Sequence, residues 1–533
     1  MLWLALPLMG GIAWGRLVAE PTTSVALVAA AGCGAAAIAA VWRGPRTWMT
    51  AIVATMLFAG IGTYRLHDHR LSDWDGLPPR EGQMTLRIDR TFPRQDATAT
   101  GIGTVITGHG ATRELAQQRV YFSFRLRPGD ERLVRSAVVR CRGVLTPVPP
   151  NPDAGTFDGY LRSAGIYFRF GRGRIVGYER PPSAYYLFLE HAATRLTEWL
   201  GLGVAAKRPA LTAVFRAMML GQKHELSAEQ NDRFMRSGTM HLFAINGLHI
   251  GVVALALHAL FSLLRWPRWL LVPVTLAILW FDVDTTGASP SAVRAFLLVA
   301  CAEAGFLLRR PANGLATLSA AATLVLLFDP LALFSASFQM SYGVVFAILT
   351  YGLPAAEAAE RRWQPFSRLP RISWSRRQRA IAAAVRWWWP VAGIGVAALL
   401  VSTIAGPEFF QVLAPVGFFS NLLLIPLATL VIIAGVSSVL AAALAVSGVN
   451  LLFNHAAIVV LGVIDGIVSL SAQLPNGSWT AHWRWPAAAP LALTVLFVTL
   501  LAGYARGWRG WVIAWWTPAL VVAVAVATGV RLG

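Results

Sequence analysis

Charged residues are scarce in this chain of 533 residues. Asp, Glu, Lys and Arg together make up 14% of it, whereas hydrophobic residues make up 56% and the mean hydropathy is +0.55. A typical soluble domain has about 25% charged residues, because its surface must be hydrated. The composition therefore excludes an ordinary soluble protein and predicts one that crosses a membrane many times.

Lysine and cysteine are rarer still. The only lysines are Lys207 and Lys223, and neither follows a glycine, so the Gly-Lys-Ser/Thr phosphate loop of ATPases is missing. The segment HELSA lacks the second histidine of a zinc-protease motif. Cys33, Cys141 and Cys301 lie in different regions and offer neither a metal-ligand set nor an evident disulfide. We therefore expect no catalytic residues, no cofactor and no metal.

The apolar runs are numerous enough for roughly a dozen membrane spans, each of about 20 residues. They lie near 2–19, 24–42, 48–64, 238–264, 269–281, 291–308, 314–328, 335–353, 387–404, 419–446, 452–473, 486–503 and 511–530. The first run has no basic segment before it and no cleavage site before Glu20, which favours a retained span over a signal peptide. The predicted fold class is an all-α polytopic membrane bundle with a small β domain inserted.

Arginine-rich loops recur on one side of the predicted membrane. They lie at 43–46, 265–268, 309–311, 360–379 and 505–510, and the turns between them are neutral or acidic. Because short basic loops stay in the cytoplasm, this pattern predicts a multi-pass protein of the inner (cytoplasmic) membrane with a cytoplasmic N-terminus. The punctuated stretch within 405–446 is compatible with a re-entrant segment.

Residues 66–182 form a polar insertion with strand-like segments separated by Gly, Pro and Asp turns. The segment RVYFSFRLR alternates strictly, with Val120, Phe122 and Phe124 on one face and Tyr121 and Arg125 on the other. About five such strands predict a small OB-like barrel, extracytoplasmic by the orientation above.

Arginines and tyrosines share one face of this predicted barrel. Guanidinium groups can hold a nucleic-acid backbone while rings stack its bases. The candidate DNA-binding residues are Tyr121, Arg125, Arg127, Arg140, Arg142, Tyr167 and Arg169. The alternative is a hydrated arginine-rich face with no ligand.

The rest of the chain divides into three predicted parts. Residues 1–65 are N-terminal transmembrane helices, and 237–533 form the main transmembrane domain. Residues 183–236 are amphipathic interfacial helices. A capping box at Ser227 and Gln230 predicts that a short helix begins there.

The stretch HLFAINGLHIG at 241–251 opens an apolar run that continues to Leu264. Imidazoles, amides and glycine are unfavourable in lipid, so such residues usually face a bundle interior or a wet cavity. We predict that the helix is interrupted at Asn246 and Gly247, with the freed backbone facing water. The alternative is close helix packing at Gly247, with Asn246 bonded across the contact.

Other polar residues within the spans extend this set. Ser289 and Pro290 predict the cap and first position of a helix, which places Arg294 about one turn into a span. The alternative for Arg294 is snorkelling to the outer interface. The candidate pore-lining residues are His241, Asn246, Gly247, His249, Arg294, Gln339 and Asn421. His258, Glu303 and Asp465 are assigned no role.

Five segments in order resemble motifs of the ComEC/Rec2 family of competence proteins. They are NPDAGTFDGYLRSAGI (151–166), LGQKHELSAEQNDRFMRSGTMHLFAINGLHIG (220–251), GASPSAVRAFLL (287–298), DPLALFSASFQMSYGVV (329–345) and SNLLLIPLATLV (420–431). The resemblance implies that 237–533 is a competence-type channel domain for single-stranded transforming DNA. It also implies an external DNA receptor and a cytoplasmic ATP-driven translocase as partners.

Two features of the sequence depart from the family pattern. The family usually has serine where this chain has Asn246, and a glutamine expected before Gly406 is replaced by leucines near Leu399. Long members also append a metallo-β-lactamase-like domain, proposed to degrade the non-transported strand. Its metal-ligand cluster does not occur in this sequence. Two interpretations stay open: the sequence is truncated, or it is a short form that works with a separate nuclease.

Two other functional classes fit the composition. A polytopic transporter of a small solute would use broken helices to form a site at the membrane midplane. A non-transporting membrane scaffold of an uptake complex would need no path through the membrane for a solute or for DNA. An accessible pore wide enough for a nucleotide chain would distinguish a DNA channel from both.

Overall fold

The computed structural model describes residues 2–18, 22–41, 44–68, 70–92, 98–126, 133–243, 247–366, 369–475, 477–509 and 514–532. The chain forms two compact units. The first comprises Met1–Ser227, Phe243–Ser335 and Leu430–Leu461, and the second comprises Ala228–Leu242, Ala336–Thr429 and Gly462–Gly533.

Three helices open the first unit: α1 (Leu2–Leu17), α2 (Thr23–Ala40) and α3 (Pro45–His67). α1 and α3 pack backbone to backbone, because a Cβ atom added to Gly11 would overlap Leu57 O and one added to Gly60 would overlap Leu8 O. Small residues permit this close approach, which membrane helices need because lipid gives them no hydrophobic drive to associate.

Five strands then close into a barrel, which confirms the predicted small barrel. They are β1 (Arg80–Phe92), β2 (Thr98–His109), β3 (Arg119–Arg125), β4 (Val138–Pro147) and β5 (Phe168–Arg180), in the order β1-β2-β3-β5-β4. The alternation predicted for β3 is confirmed, since Val120, Phe122 and Phe124 are fully buried and Arg125 is exposed. A short helix, α4 (Phe157–Ser163), buries Leu161 with Ile102 in a second, smaller apolar cluster.

The chain after the barrel is mainly helical. Its helices are α5 (Ala184–Gly201), α6 (Pro209–Leu220), α7 (Ala228–Arg236), α8 (Gly247–Leu263), α9 (Arg268–Thr285), α10 (Pro290–Leu307), α11 (Gly314–Phe328), α12 (Ala336–Ala347), α13 (Leu353–Arg362), α14 (Arg376–Phe409), α15 (Val416–Ala443), α16 (Ser447–Gln473), α17 (Ala488–Ala505) and α18 (Thr517–Gly529). α7 begins directly after Ser227, as predicted.

A buried polar network holds the C-terminal end of α5 in the first unit. Asn454 Nδ2 donates to the carbonyl oxygens of Trp199 at 2.9 Å and Leu202 at 3.0 Å. Asn450 Nδ2 donates to Ser438 Oγ at 2.7 Å, and Ser438 Oγ donates to Asn454 Oδ1 at 2.6 Å. The last carbonyls of a helix lack donors within that helix, so side-chain amides of α16 satisfy them here.

In the second unit, α12 continues through a π-helical turn, Ile348–Gly352, into α13. This turn contacts α14, where Gly352 and Gly393 meet backbone to backbone. Three short strands, β6 (Val412–Leu413), β7 (Trp479–Trp483) and β8 (Val530–Leu532), form a small sheet. The link between α14 and α15 therefore contains a strand of this sheet. The re-entrant interpretation of this stretch stays a prediction.

Among the described helices, eight are long and apolar enough to cross a membrane. They are Thr23–Ala40, Pro45–His67, Pro290–Leu307, Ala336–Arg362, Arg376–Phe409, Val416–Ala443, Gly448–Gln473 and Ala488–Ala505. Several shorter apolar helices, including α1, α8 and α11, accompany them. The multi-pass helical class is confirmed, whereas a total of about a dozen spans is not.

Candidate functional site

A row of residues in register crosses four strands of the barrel. Arg90 on β1 pairs with Ile102 on β2, and Ile102 pairs with Tyr121 on β3. Tyr121 in turn pairs with Arg169 on β5. Residues in register point to the same side of a sheet. Tyr121 and Arg169 are therefore neighbours, and Arg90, which the sequence analysis did not select, belongs to the same row.

Three of the predicted arginines are paired with carboxylates. The pairs are Arg140 with Glu179 at 2.9 Å, Arg142 with Glu81 at 3.0 Å, and Arg169 with Asp158. Such partly exposed pairs add little stability, but each one reduces the positive potential that a phosphate would meet. Arg125 is exposed at the end of β3, and Arg127 lies outside the described residues.

Tyr167 does not lie on this outward face. Its side chain is 8% exposed in the barrel core, and its hydroxyl donates to Asp68 Oδ1 at 2.7 Å. Burial, followed by the hydrogen bond with Asp68, raises the pKa of Tyr167. The strand begins only at Phe168, so its alternation does not extend back to Tyr167. This corrects the prediction, because a ring packed inside the barrel is not placed to stack a base.

An aromatic group that the sequence analysis missed lies beside the row. Phe157 and Tyr160 of α4 are 45% and 40% exposed, and their rings stack with centroids 6.0 Å apart. Phe157 meets Tyr121 edge-on at 4.9 Å, and Tyr121 stacks with Phe92 at 6.4 Å. The sequence contains a signal for this pair. Thr156 can cap a helix, and two aromatic residues three positions apart in that helix share one face.

The start of α8 holds part of the predicted pore lining. The side chain of His241 and all of Asn246 lie outside the described residues, so the interruption at Asn246 stays a prediction. α8 begins at Gly247, and no described atom lies within 4 Å of a Cβ added there. In the described part of the chain, therefore, no atom is close enough to Gly247 to support the close-packing alternative. His249 is 5% exposed and hydrogen-bonds with the backbone of Met218.

α10 begins as predicted. Ser289 caps it by accepting from the backbone N–H of Ala292 at 3.3 Å, and Pro290 is its first residue. Arg294 follows one turn later and is 4% exposed. A snorkelling guanidinium would reach past the protein towards water, so this enclosure disagrees with the snorkelling alternative.

A hydrogen bond joins α8 to α10. His258 Nδ1 lies 3.2 Å from Glu303 Oε1, which gives both residues a structural partner. α9 joins the two helices through short turns, so α8 and α10 run in the same direction. His249 and Arg294 each lie nine positions earlier than the paired residue on their helix. They therefore lie at one level of the bundle, on the helix faces opposite the pair.

The remaining candidates belong to the second unit. Gln339 is half-buried in α12. Asn421, in the second turn of α15, has its Oδ1 buried without a hydrogen-bond partner among the described residues. A buried amide oxygen without a partner is uncommon and calls for water or a ligand. Asp465, given no role, lies 3.7 Å from Arg233.

A helical bundle with apolar spans, enclosed polar side chains and an inserted barrel defines a multi-pass membrane protein with a globular β domain. The family model described as competence protein matches residues 218–508, more than half of the chain, so the chain belongs to the competence protein family. It is also 27% identical over 201 residues to ComE operon protein 3 of Bacillus subtilis (strain 168). That match covers 37% of this chain and 25% of the relative. No solved structure matches.

Proposed function

We propose that this protein is an inner-membrane channel that takes up single-stranded transforming DNA during natural competence. The observation that carries the proposal is Arg294, which lies one turn inside an apolar helix and is enclosed by protein. Charged side chains are costly within a membrane span and are rare there. Such residues usually mark a substrate path, and membership of the competence family supplies the substrate class.

A path for DNA through the membrane needs only a few polar side chains. Each nucleotide carries a phosphate charge that cannot enter hydrocarbon bare, so the path must be wet and offer cations or hydrogen-bond donors. The contacts must also be few, because a strand held tightly at every site would not move. Arg294 meets the first requirement, and a single arginine in an otherwise apolar helix is consistent with the second. Because the Arg294 side chain is enclosed here, passage requires its neighbouring helices to separate.

The chain needs partners for this task. Its sequence contains no phosphate-binding loop, so the pull on the strand comes from a cytoplasmic ATP-driven translocase. An external receptor delivers the DNA. The proposed orientation, with a cytoplasmic N-terminus and an extracytoplasmic barrel, places the barrel on the side where DNA arrives.

Replacing Arg294 with glutamine should lower DNA entry about tenfold to a hundredfold, because a charge-assisted hydrogen bond to phosphate is worth about 1.5–3 kcal/mol. Nuclease-protected labelled DNA is measured in cells that carry the variant as their only copy, with the membrane level of the protein determined in parallel. Arg294→Lys keeps the charge and should recover part of the uptake. Arg309→Gln, at the exposed far end of the same helix, is the matched control. Normal uptake by Arg294→Gln would contradict the proposal.

The orientation is tested by cysteine labelling of intact cells. The barrel should be reached by a membrane-impermeant thiol reagent, and the arginine-rich loop at 354–386 should not. Ala116→Cys and Ser373→Cys place the reporter at exposed positions in the two regions, in a background whose three native cysteines are replaced. Labelling of position 373 but not of position 116 would reverse the orientation. Permeabilised cells, in which both positions should react, provide the control.

A further inference from the structure

We propose that the first half of α14 binds an anionic phospholipid, with the lipid phosphate at two arginines and an acyl chain in an adjoining groove. One part of this surface is cationic and the other is apolar, as the two ends of a phospholipid require. The lipid site comprises Arg379, Ala383, Arg386, Trp387, Pro390 and Val391. All six residues belong to the second unit. Lipid binding involves no transport of DNA, so the site does not rest on the proposed channel.

α14 is longer than the hydrocarbon core of a membrane is thick. Its 34 residues extend over about 51 Å at about 1.5 Å per residue, whereas the core is about 30 Å thick. The apolar part of the helix begins with three consecutive tryptophans at 387–389, and tryptophan is enriched at the membrane–water boundary. Because Arg386 directly precedes these tryptophans, its guanidinium lies at the level of the lipid headgroups.

One face of α14 carries both parts of the lipid site. Residues three and four positions apart share a helix face, and Arg379, Ala383, Arg386 and Pro390 follow this spacing. The two arginines are exposed and lie about 10.5 Å apart along the helix axis. The small side chain of Ala383, between them, leaves room for a phosphate that both long side chains can reach.

An open groove of about 440 Å³ adjoins Arg386. Its other lining residues are Ala383, Trp387, Pro390 and Val391, and all four side chains are predominantly apolar. The groove therefore runs from a guanidinium at headgroup level along the apolar part of the helix. A phospholipid has this arrangement, because its charged phosphate is joined to hydrocarbon chains.

Two carboxylates accompany the arginines of this region and leave an excess of positive charge. The segment 354–386 contains eight arginines and two glutamates. Glu357 pairs with Arg361 at 3.4 Å. Glu360 Oε1 lies 3.9 Å from Arg386 Nε, which is too long for a hydrogen bond, and 58% of the Arg386 side chain is exposed. Basic segments next to a membrane span attract anionic lipids.

Arg379 is positioned without losing the donors that a phosphate uses. Its Nε donates to the carbonyl oxygen of Trp374 at 3.1 Å. A guanidinium has five N–H donors, and four of them belong to its two terminal nitrogens. Hydrogen bonds from these nitrogens to a phosphate are charge-assisted and are frequently bidentate. The backbone contact therefore holds Arg379 beside the helix and leaves its terminal nitrogens for the lipid.

A strand of DNA is the rival ligand for so basic a segment. Its phosphates would contact the arginines, as a lipid phosphate does, but the strand has no hydrocarbon chain to fill the groove. The tryptophans also place the lipid site at the membrane boundary, where phospholipid headgroups are concentrated. The groove and its position therefore favour a lipid over a nucleic acid.

The test is native mass spectrometry of the full-length protein in detergent, titrated with phosphatidylglycerol. Arg379→Gln with Arg386→Gln should weaken lipid binding about tenfold or more, because each basic residue near an anionic surface contributes to affinity. Ala383→Leu keeps every charge but fills the space between the arginines, and it should weaken binding at least about fivefold. Phosphatidylcholine, whose headgroup has no net charge, should bind to the wild-type protein at least about tenfold more weakly than phosphatidylglycerol.

Matched variants separate the lipid site from general effects of charge and size. Arg309→Gln with Arg310→Gln removes the same charge from another exposed pair and should leave phosphatidylglycerol binding unchanged. Ala384→Leu makes the same substitution at an exposed position outside the groove and should also bind normally. Arg386→Lys should keep most of the affinity. Monodisperse elution of each variant on size exclusion excludes misfolding as the cause of a loss.

Four outcomes would overturn the lipid site. Wild-type affinity in the Arg379/Arg386 variant is the first, and equal binding of phosphatidylcholine and phosphatidylglycerol, as in a general lipid shell, is the second. The third is displacement of the lipid by an equal concentration of glycerol 1-phosphate, which has the phosphate but no acyl chain. The fourth is displacement by oligo(dT) that binds the wild-type protein but not the Arg379/Arg386 variant, which would assign the segment to DNA. Normal DNA entry by Arg294→Gln would reject the channel and leave this site unaffected.

Discussion

DNA entry should stop when Gly247 is replaced by leucine, while the protein still folds and reaches the membrane at its normal level. No described atom lies within 4 Å of a Cβ at Gly247, so the described structure has room for a larger side chain. Among the residues that the structure describes, close helix packing therefore does not explain a glycine at this position. If the space beside the first turn of α8 belongs to the DNA path, a leucine there narrows the path and offers a phosphate only hydrocarbon.

The Gly247→Leu result is read against two further variants. Gly462→Leu makes the same change in a membrane helix where a Cβ also meets no described atom, and it should leave uptake unchanged. A cysteine at position 246 should react with a small polar thiol reagent, and single-stranded DNA should slow that reaction. If a cysteine at position 246 does not react in folded protein, and Gly247→Leu takes up DNA normally, the prediction fails. The helix-packing alternative for this segment would then be favoured.

Replacing Gly393 with leucine should remove folded protein from the membrane altogether. A Cβ on Gly352 would lie 2.6 Å from Gly393 O, and a Cβ on Gly393 would overlap Gly352 O. Both obstacles are backbone, which cannot rotate away as a side chain does. Overpacking usually costs about 1–3 kcal/mol, and a backbone clash between helices should exceed that range.

Membrane level and thermal unfolding in detergent measure this effect. Gly393→Ala, with one added carbon, should already lower the midpoint of unfolding, and Gly393→Leu should yield little monodisperse protein. Gly305→Leu, in α10, meets no described atom and serves as the control. A Gly393→Leu protein with wild-type yield and melting would show that the π-helical turn and α14 do not pack as described.

Features that depend on neighbours along the chain are predictable from the sequence. The two faces of β3 follow from alternation, and the start of α10 follows from Ser289 and Pro290. The beginning of α7 after Ser227 is equally local. Each of these needs only residues within a few positions, and the structure confirms all three.

Features that depend on distant partners are not predictable in this way. Arg140 is paired with a glutamate 39 positions away, and Arg142 with one 61 positions away. Only the register between strands shows that these arginines are neutralised. The number of spans is also uncertain from hydropathy, because helices such as α8 and α11 are apolar but short of the length that a full crossing needs.

The amide network at the end of α5 has a consequence for biosynthesis. Asn454 lies 255 positions after Trp199, whose carbonyl oxygen it satisfies. A ribosome therefore delivers α5 to the membrane long before it makes the donors that complete the helix end. During that interval the carbonyls of Trp199 and Leu202 depend on water or on the insertion machinery. A chain released before α16 would carry this open helix end permanently, which gives a quality-control protease a feature by which to recognise incomplete molecules.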